Sequence, residues 1–183
     1  MGKYVGRGGD KLGFALREFA LDVSGLTAAD LGSHVGGFVD CLLQHGAARV
    51  YSVDTSYGTL AWKLRQDARV VVIERTNALH VELPEKVDLV TIDVAWTKQR
   101  LIVPKAAELT KPGGTVLSLL KPQYEAEPGE VERGLVAPEL ARTIAGRVIR
   151  SLAESGFPVA RWAESPLAGG KGNREFFLRI DVE

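Results

Sequence analysis

Ala28-Ala29-Asp30-Leu31-Gly32-Ser33-His34-Val35-Gly36-Gly37-Phe38 runs from a short apolar segment through a glycine-rich turn into helical periodicity. The spacing predicts a strand over 28–31 and a helix over 36–45. In that helix Phe38, Cys41, Leu42 and His45 share one face, and Gly46 is the stop. A strand passing through glycines into a helix is the opening unit of a parallel α/β sheet.

The pattern continues outward on both sides. Residues 49–54 are apolar and β-rich, and a helix is expected around 59–66. The runs 70–73 and 87–92 are continuously apolar, as strands covered on both faces are. A helix near 98–109, interrupted or restarted at Pro104, leads to a strand over 115–120. Residues 122–137, rich in Pro, Gly and Glu, read as a mobile loop before a long amphipathic helix over 138–155. Strands over 159–162 and 176–182 close the series. Upstream, Asp10 is a candidate cap for a helix carrying Leu12, Ala15, Leu16, Phe19 and Ala20 at helical spacing. Alternating strands and helices predict one α/β domain over 1–183, a mainly parallel sheet with helices on both faces.

Composition narrows the partners. The chain has 183 residues, 45% hydrophobic and 25% charged, the balance of an ordinary soluble protein. It contains neither an apolar run of membrane-spanning length nor the apolar core of a signal peptide. A single cysteine, Cys41, makes no internal disulfide and suits a reducing cytoplasm; its apolar neighbours mark it as a buried residue rather than a nucleophile. Lys and Arg total 23 and so do Asp and Glu, so composition alone gives no nucleic-acid signature. Positive charge is nevertheless concentrated at Lys3, Arg7, Lys11 and Arg17, and again at Lys98, Arg100, Lys105 and Lys111, which allows a local basic face.

Ligands of such sheets bind beyond the carboxyl ends of the strands. There the sequence offers Asp30, Gly32, Ser33, Gly36, Gly37 and Phe38 on the first turn, and Asp54 after the second strand. Asp54 is placed to accept hydrogen bonds from both hydroxyls of a ribose. The glycine pattern, Gly-x-x-x-Gly-Gly, is not the Gly-x-Gly-x-x-Gly that cradles a pyrophosphate. A cofactor with an adenosine and no phosphates therefore fits better than NAD. Asp93 and Lys121 end two further strands, and such a lysine beside a carboxylate suits the handling of a hydroxyl proton.

At this point the residues resemble a known family. Tyr-Val-Gly-Arg-Gly-Gly-Asp-Lys-Leu (4–12) is similar to the opening of the methyltransferase domain in the TlyA (hemolysin-like) branch of the FtsJ-type RNA methyltransferases. Five more blocks match in order along the chain: 35–47, 60–67, 74–78, 120–125 and 170–177. The resemblance implies a Rossmann-like class I methyltransferase sheet with an antiparallel last strand. It implies S-adenosyl-L-methionine as cofactor, no metal requirement, and methylation of a ribose 2′-hydroxyl in RNA, at family level ribosomal RNA or ribosomal subunits. The family's Lys-Asp-Lys-Glu catalytic tetrad falls on Lys11, Asp93, Lys121 and Glu175. Its adenine contact falls on Asn77 and its ribose contact on Asp54, with Asp93 also favouring the cationic sulfonium.

Three departures accompany the match. Ser33-His34-Val35 is bulkier than the turn of such enzymes, and Trp96 stands where relatives carry Phe, as a base-stacking or core residue. Members of the branch usually carry an S4 RNA-binding domain ahead of this block, so weak, salt-sensitive binding to naked RNA is expected. The competing readings are a methyltransferase fold acting on a non-RNA substrate, a non-catalytic cofactor-binding or hemolysin-like module, and an NAD oxidoreductase. The glycine spacing disfavours the last, and no strongly basic amphipathic segment supports membrane lysis.

Overall fold

A computed structural model describes residues 2–183. Seven strands form one sheet: β1 (Thr27–Leu31), β2 (Arg49–Val53), β3 (Val70–Ile73), β4 (Val87–Ile92), β5 (Thr110–Leu120), β6 (Arg161–Glu164) and β7 (Phe176–Asp181). Their order across the sheet is β3-β2-β1-β4-β5-β7-β6. Strands β1 to β5 pair in parallel, whereas β7 runs antiparallel to both β5 and β6. The sheet thus has a single inverted strand, at the place the family resemblance expects it.

The helices are α1 (Arg7–Glu18), α2 (Gly37–Gln44), α3 (Trp62–Arg65), α4 (Gln99–Leu109), α5 (Pro122–Glu125) and α6 (Pro138–Glu154). Two apolar clusters lie on opposite faces of the sheet. One joins Val90, Ile92 and Val116 to Ile102 and Val103 of α4 and Ile144 and Val148 of α6. The other joins Ala28, Leu89 and Leu117 to Leu12 and Leu16 of α1 and Val39 and Leu42 of α2. Alternate residues of one strand feed different clusters, as Leu89 and Val90 do, which is why the central strands read as unbroken apolar runs.

Several local expectations change. Gly6, not Asp10, is the N-cap residue of α1; Asp10 sits within the first turn, where its charge favours the helix dipole instead. Pro104 does not interrupt α4. It lies early enough to forfeit only the bond to the exposed Arg100 carbonyl, while buried Ile102, Val103 and Ala106 hold the helix to the core. β3 is an edge strand rather than a buried one, and its Val71 is exposed. The penultimate strand starts after Pro158, where Arg161 pairs with Arg179 and Trp162 with Leu178. The stretch 122–137 is tied down: it opens with α5, Glu130 pairs with Arg147 of α6 at 2.7 Å, and the Val136 N–H donates to the Asn173 side chain.

The expected basic face is partly consumed by pairing. Lys11 is buried, Lys105 reaches Glu108, and Lys111 reaches Asp88. Among the described residues, no helix is long and apolar enough to cross a membrane.

Candidate active site

The strand order reverses between β1 and β4, and the carboxyl ends of those strands open into a crevice there. Register places the side chains. Leu31 faces Ile92 across β1 and β4, so Gly32 and Asp93 leave the sheet side by side, with the Asp93 N–H donating to the Leu31 carbonyl at 2.9 Å. Leu120 faces Phe176 across β5 and β7, so Lys121 and Glu175 emerge as neighbours although 54 positions separate them in sequence (175 − 121). The antiparallel β7 is what brings the start of a strand to an edge otherwise made of strand ends.

Two ion pairs result. Lys121 Nζ lies 2.6 Å from Asp93 Oδ1, a charge contact outside hydrogen-bond geometry, since that oxygen has no hydrogen-bonding partner. Lys11 Nζ, from α1, donates to Glu175 Oε2 at 2.5 Å in a buried pair. Gly8, one turn ahead of Lys11, packs on Phe38, and a Cβ there would stand 3.9 Å from Asp93 Oδ2, which brings the start of α1 up to the same crevice.

Glycine is required where the backbones crowd. Gly36 has φ +96°, and a Cβ on it would lie 2.3 Å from Leu64 Cδ1. A Cβ on Gly37 would lie 2.9 Å from the Gly9 nitrogen, so the starts of α1 and α2 meet glycine on glycine.

A cavity of about 590 Å³ is lined by Asp54, Asn77 and Thr76 on one side and by Asp93, Trp96 and Lys121 on the other. A smaller one of about 270 Å³ is lined by Asp30, Ser33, Gly37 and Phe38 together with Gly6, Arg7 and Gly8. The two share Gly32, His34 and Asp93, and form adjoining compartments.

Asp54 accepts the His34 N–H and the Ser56 N–H at 2.7 Å each. Burial opposes its ionisation, but the neighbouring Ser56 hydroxyl and these two N–H groups outweigh that and lower its pKa. Asn77 caps a 3₁₀ turn over 78–80, its Oδ1 accepting the Leu79 N–H. Asp30 is fully buried; its Oδ1 accepts the Thr91 hydroxyl at 2.7 Å and its Oδ2 has no partner. Burial, with Asp93 and Asp54 near it, pushes its pKa up to about 8 against the Thr91 hydrogen bond. The Ser33 hydroxyl is committed to the Val53 carbonyl and the Ser52 hydroxyl. Phe38 is buried and stacks on Phe177, centroids 6.1 Å apart. Trp96 is 79% exposed at φ +60°, braced edge-on by Tyr124 at 6.0 Å, so it is not a core residue. Burial raises the Cys41 thiol to about 11, in keeping with an inert core cysteine.

Sequence reading missed Gly6, Arg7 and Gly8 as cavity residues, although the closely spaced glycines 6, 8 and 9 were a signal. It also gave no role to Asn173, although that residue lies within the matching block 170–177. Among the described residues, no group of three or more His, Cys, Asp or Glu side chains is placed to hold a metal ion.

The sheet order, the inverted seventh strand and the crevice at the switch point define a class I methyltransferase fold, shared with solved S-adenosylmethionine-dependent methyltransferases. The FtsJ-like methyltransferase model matches residues 4–181, and the chain belongs to that family. It is 43% identical to YqxC of Bacillus subtilis, described as an rRNA methyltransferase, over 97% of this chain and 66% of that protein. It is 40% identical to the 16S/23S rRNA (cytidine-2′-O)-methyltransferase TlyA of Mycobacterium tuberculosis, over 98% of this chain and 69% of that one. A solved structure described as a hemolysin of Streptococcus thermophilus superposes with a TM-score of 0.94 at 36% identity, covering 100% of this chain and 68% of the other. The chain thus spans about two thirds of the length of these relatives.

Proposed function

We propose that residues 1–183 act as one cytoplasmic domain that transfers a methyl group from S-adenosyl-L-methionine to a ribose 2′-hydroxyl of ribosomal RNA. The observation that carries this is the Lys121–Asp93 pair on the wall of a nucleoside-sized cavity, with the buried Lys11–Glu175 pair set next to Lys121 by the β5–β7 register. The relatives described as acting on rRNA point the same way.

The lining fits the cofactor. Asp54 offers a carboxylate to the two ribose hydroxyls and Asn77 lies beside it for the adenine. Asp54 and Asp93 make the larger compartment acidic, which suits a sulfonium and disfavours a pyrophosphate. When bound, the cofactor supplies an electrophilic methyl group on its sulfonium.

The chain's own residues do the rest. Lys121 steers the 2′-hydroxyl and stabilises its oxygen as negative charge develops there. Asp93 orients Lys121 across their 2.6 Å contact and favours a positive charge in the crevice. Lys11 and Glu175, which line neither cavity, extend the charge network from beside Lys121, their own geometry fixed by mutual pairing. Holding the two reactants in line supplies much of the rate. Trp96, exposed at the cavity mouth, offers an aromatic face to a nucleobase.

The test is transfer of labelled methyl into ribosomal RNA and ribosomal subunits by wild type and Lys121→Ala, with nuclease digestion and mass spectrometry to locate the methyl. Label on a 2′-oxygen, lost in the variant while cofactor affinity stays within about threefold, is the expected result. Equal transfer by the variant overturns the role of Lys121, and label on a base or a protein overturns the ribose assignment.

A further inference from the structure

Asp30 is the one cavity-lining carboxylate, among the described residues, that is wholly buried and half unpaired. Its Oδ1 takes the Thr91 hydroxyl at 2.7 Å, while Oδ2 has no partner. An ionised carboxylate in that position lacks both water and a donor, which is costly unless a cation arrives or a proton stays. Around it, Asp93 from the end of β4 lines the same compartment, and Asp54 from the end of β2 lines the adjoining one. Arg7 from the start of α1 and His34 from the turn also line the smaller compartment.

That compartment joins the larger one through Gly32, His34 and Asp93. It holds a buried acid, Asp30, and a guanidinium, Arg7, whose Nη2 donates to the Ala168 carbonyl. Acid and base facing one small space suit a zwitterion, an ammonium toward Asp30 and a carboxylate toward Arg7.

On the cofactor reading above, the smaller compartment is where the amino-acid end of the cofactor goes. We propose that Asp30 gives up a proton to solvent when the α-ammonium of that amino-acid end enters the compartment, so that cofactor binding is coupled to proton release. The two states balance: a neutral carboxyl in the free protein becomes a carboxylate facing an ammonium in the complex, and one proton passes to the buffer. The upward pKa of Asp30 in the free protein, to about 8, agrees with a carboxyl that is neutral near pH 7. Asp93 and Asp54 push it in that direction, and only the Thr91 hydroxyl pulls against burial. The linkage makes affinity rise with pH from 6 toward 8.

Isothermal titration calorimetry tests this without any turnover. S-adenosylhomocysteine and S-adenosylmethionine, each with the amino-acid end, and 5′-methylthioadenosine, without it, are titrated at pH 7.0. Buffers of different ionisation enthalpy give the proton count. The wild type is compared with Asp30→Asn, which keeps the volume and the acceptor for Thr91. The expected result is that the wild type releases most of a proton more than the variant with each of the first two ligands, and no more than the variant with 5′-methylthioadenosine. Affinity of the variant for S-adenosylhomocysteine falls about tenfold or more and loses its rise between pH 6 and 8. Equal proton counts in the two proteins, or an equal excess with 5′-methylthioadenosine, overturn the inference while leaving the cofactor reading intact. Failure of all three ligands to bind wild type overturns the cofactor reading, and this inference with it.

Discussion

A Cβ on Gly169 would stand 2.5 Å from Glu175 Oε1, so the turn ahead of β7 leaves no space for a side chain beside that carboxylate. Glu175 has no easy retreat: it is 2% exposed, and Lys11 grips its other oxygen at 2.5 Å. Gly169→Ala should therefore displace the carboxylate rather than the methyl group. Overpacking of this kind costs about 1–3 kcal/mol. On the proposed role of Glu175, single-turnover methyl transfer falls at least about tenfold while cofactor affinity changes by less than about twofold. Wild-type transfer rates in a variant that melts normally would show that the placement of Glu175 is not critical.

The Lys11–Glu175 pair separates a structural role from a chemical one. Removing one partner of a buried pair strands the other charge and costs about 3–5 kcal/mol. Lys11→Met and Glu175→Gln alone should each lower the melting temperature. The double variant, with no buried charge left, should recover much of that loss. Methyl transfer should stay lost in all three. A double variant that regains transfer along with stability would reduce the pair to scaffolding.

The fold was largely legible because its signals are local. Val87–Ile92 reads as a strand from six consecutive residues, and the glycines at 32, 36 and 37 mark the turn that must pass close to other backbone. Asp93 and Lys121 were legible for the same reason, as polar residues ending apolar strands. What escaped depends on distant segments meeting. By charge alone Lys11 read as part of a basic surface, and only the family resemblance grouped it with Glu175, the partner 164 residues away in a buried pair. The open Oδ2 of Asp30 shows only once Thr91 has taken the other oxygen. Trp96 could not be assigned to core or surface until the turn after β4 was placed, because aromatic side chains serve both.

Asn173 illustrates the same limit and gives a prediction of its own. Its Oδ1 accepts the Val136 N–H at 2.9 Å and its Nδ2 donates to the Gly134 carbonyl at 2.8 Å, while its own carbonyl accepts the Gly169 N–H at 2.8 Å. One buried amide thus fastens the 126–137 segment to the turn that carries Glu175. Asn173→Ala removes both side-chain bonds and should release that segment. Trypsin cleavage after the exposed Arg133 should then accelerate about tenfold or more under native conditions, ahead of cleavage elsewhere. Unchanged cleavage at Arg133 would mean that the Glu130–Arg147 pair, at 2.7 Å, holds the segment alone.

Asp30 also sets a pH dependence on the stability of the free protein, and its sign follows from linkage. The folded-state pKa of about 8 lies above the ordinary value of 3.8, so between those limits the folded chain holds a proton that the unfolded chain has released. That contribution is fully present below about pH 4 and is lost as pH rises toward 8. One such proton amounts to at most about 1.4 kcal/mol per pH unit. Carboxylates whose pKa values are lowered, Asp40, Asp54 and Asp88 among them, act in the opposite sense, and theirs is lost only on acidification below the ordinary carboxylate range. Urea unfolding at pH 5, 6, 7 and 8 should therefore show wild-type stability falling with pH relative to Asp30→Asn, the gap in favour of the variant widening at each step. Parallel curves would mean that Asp30 is already ionised in the folded protein and that some donor reaches Oδ2 without any ligand.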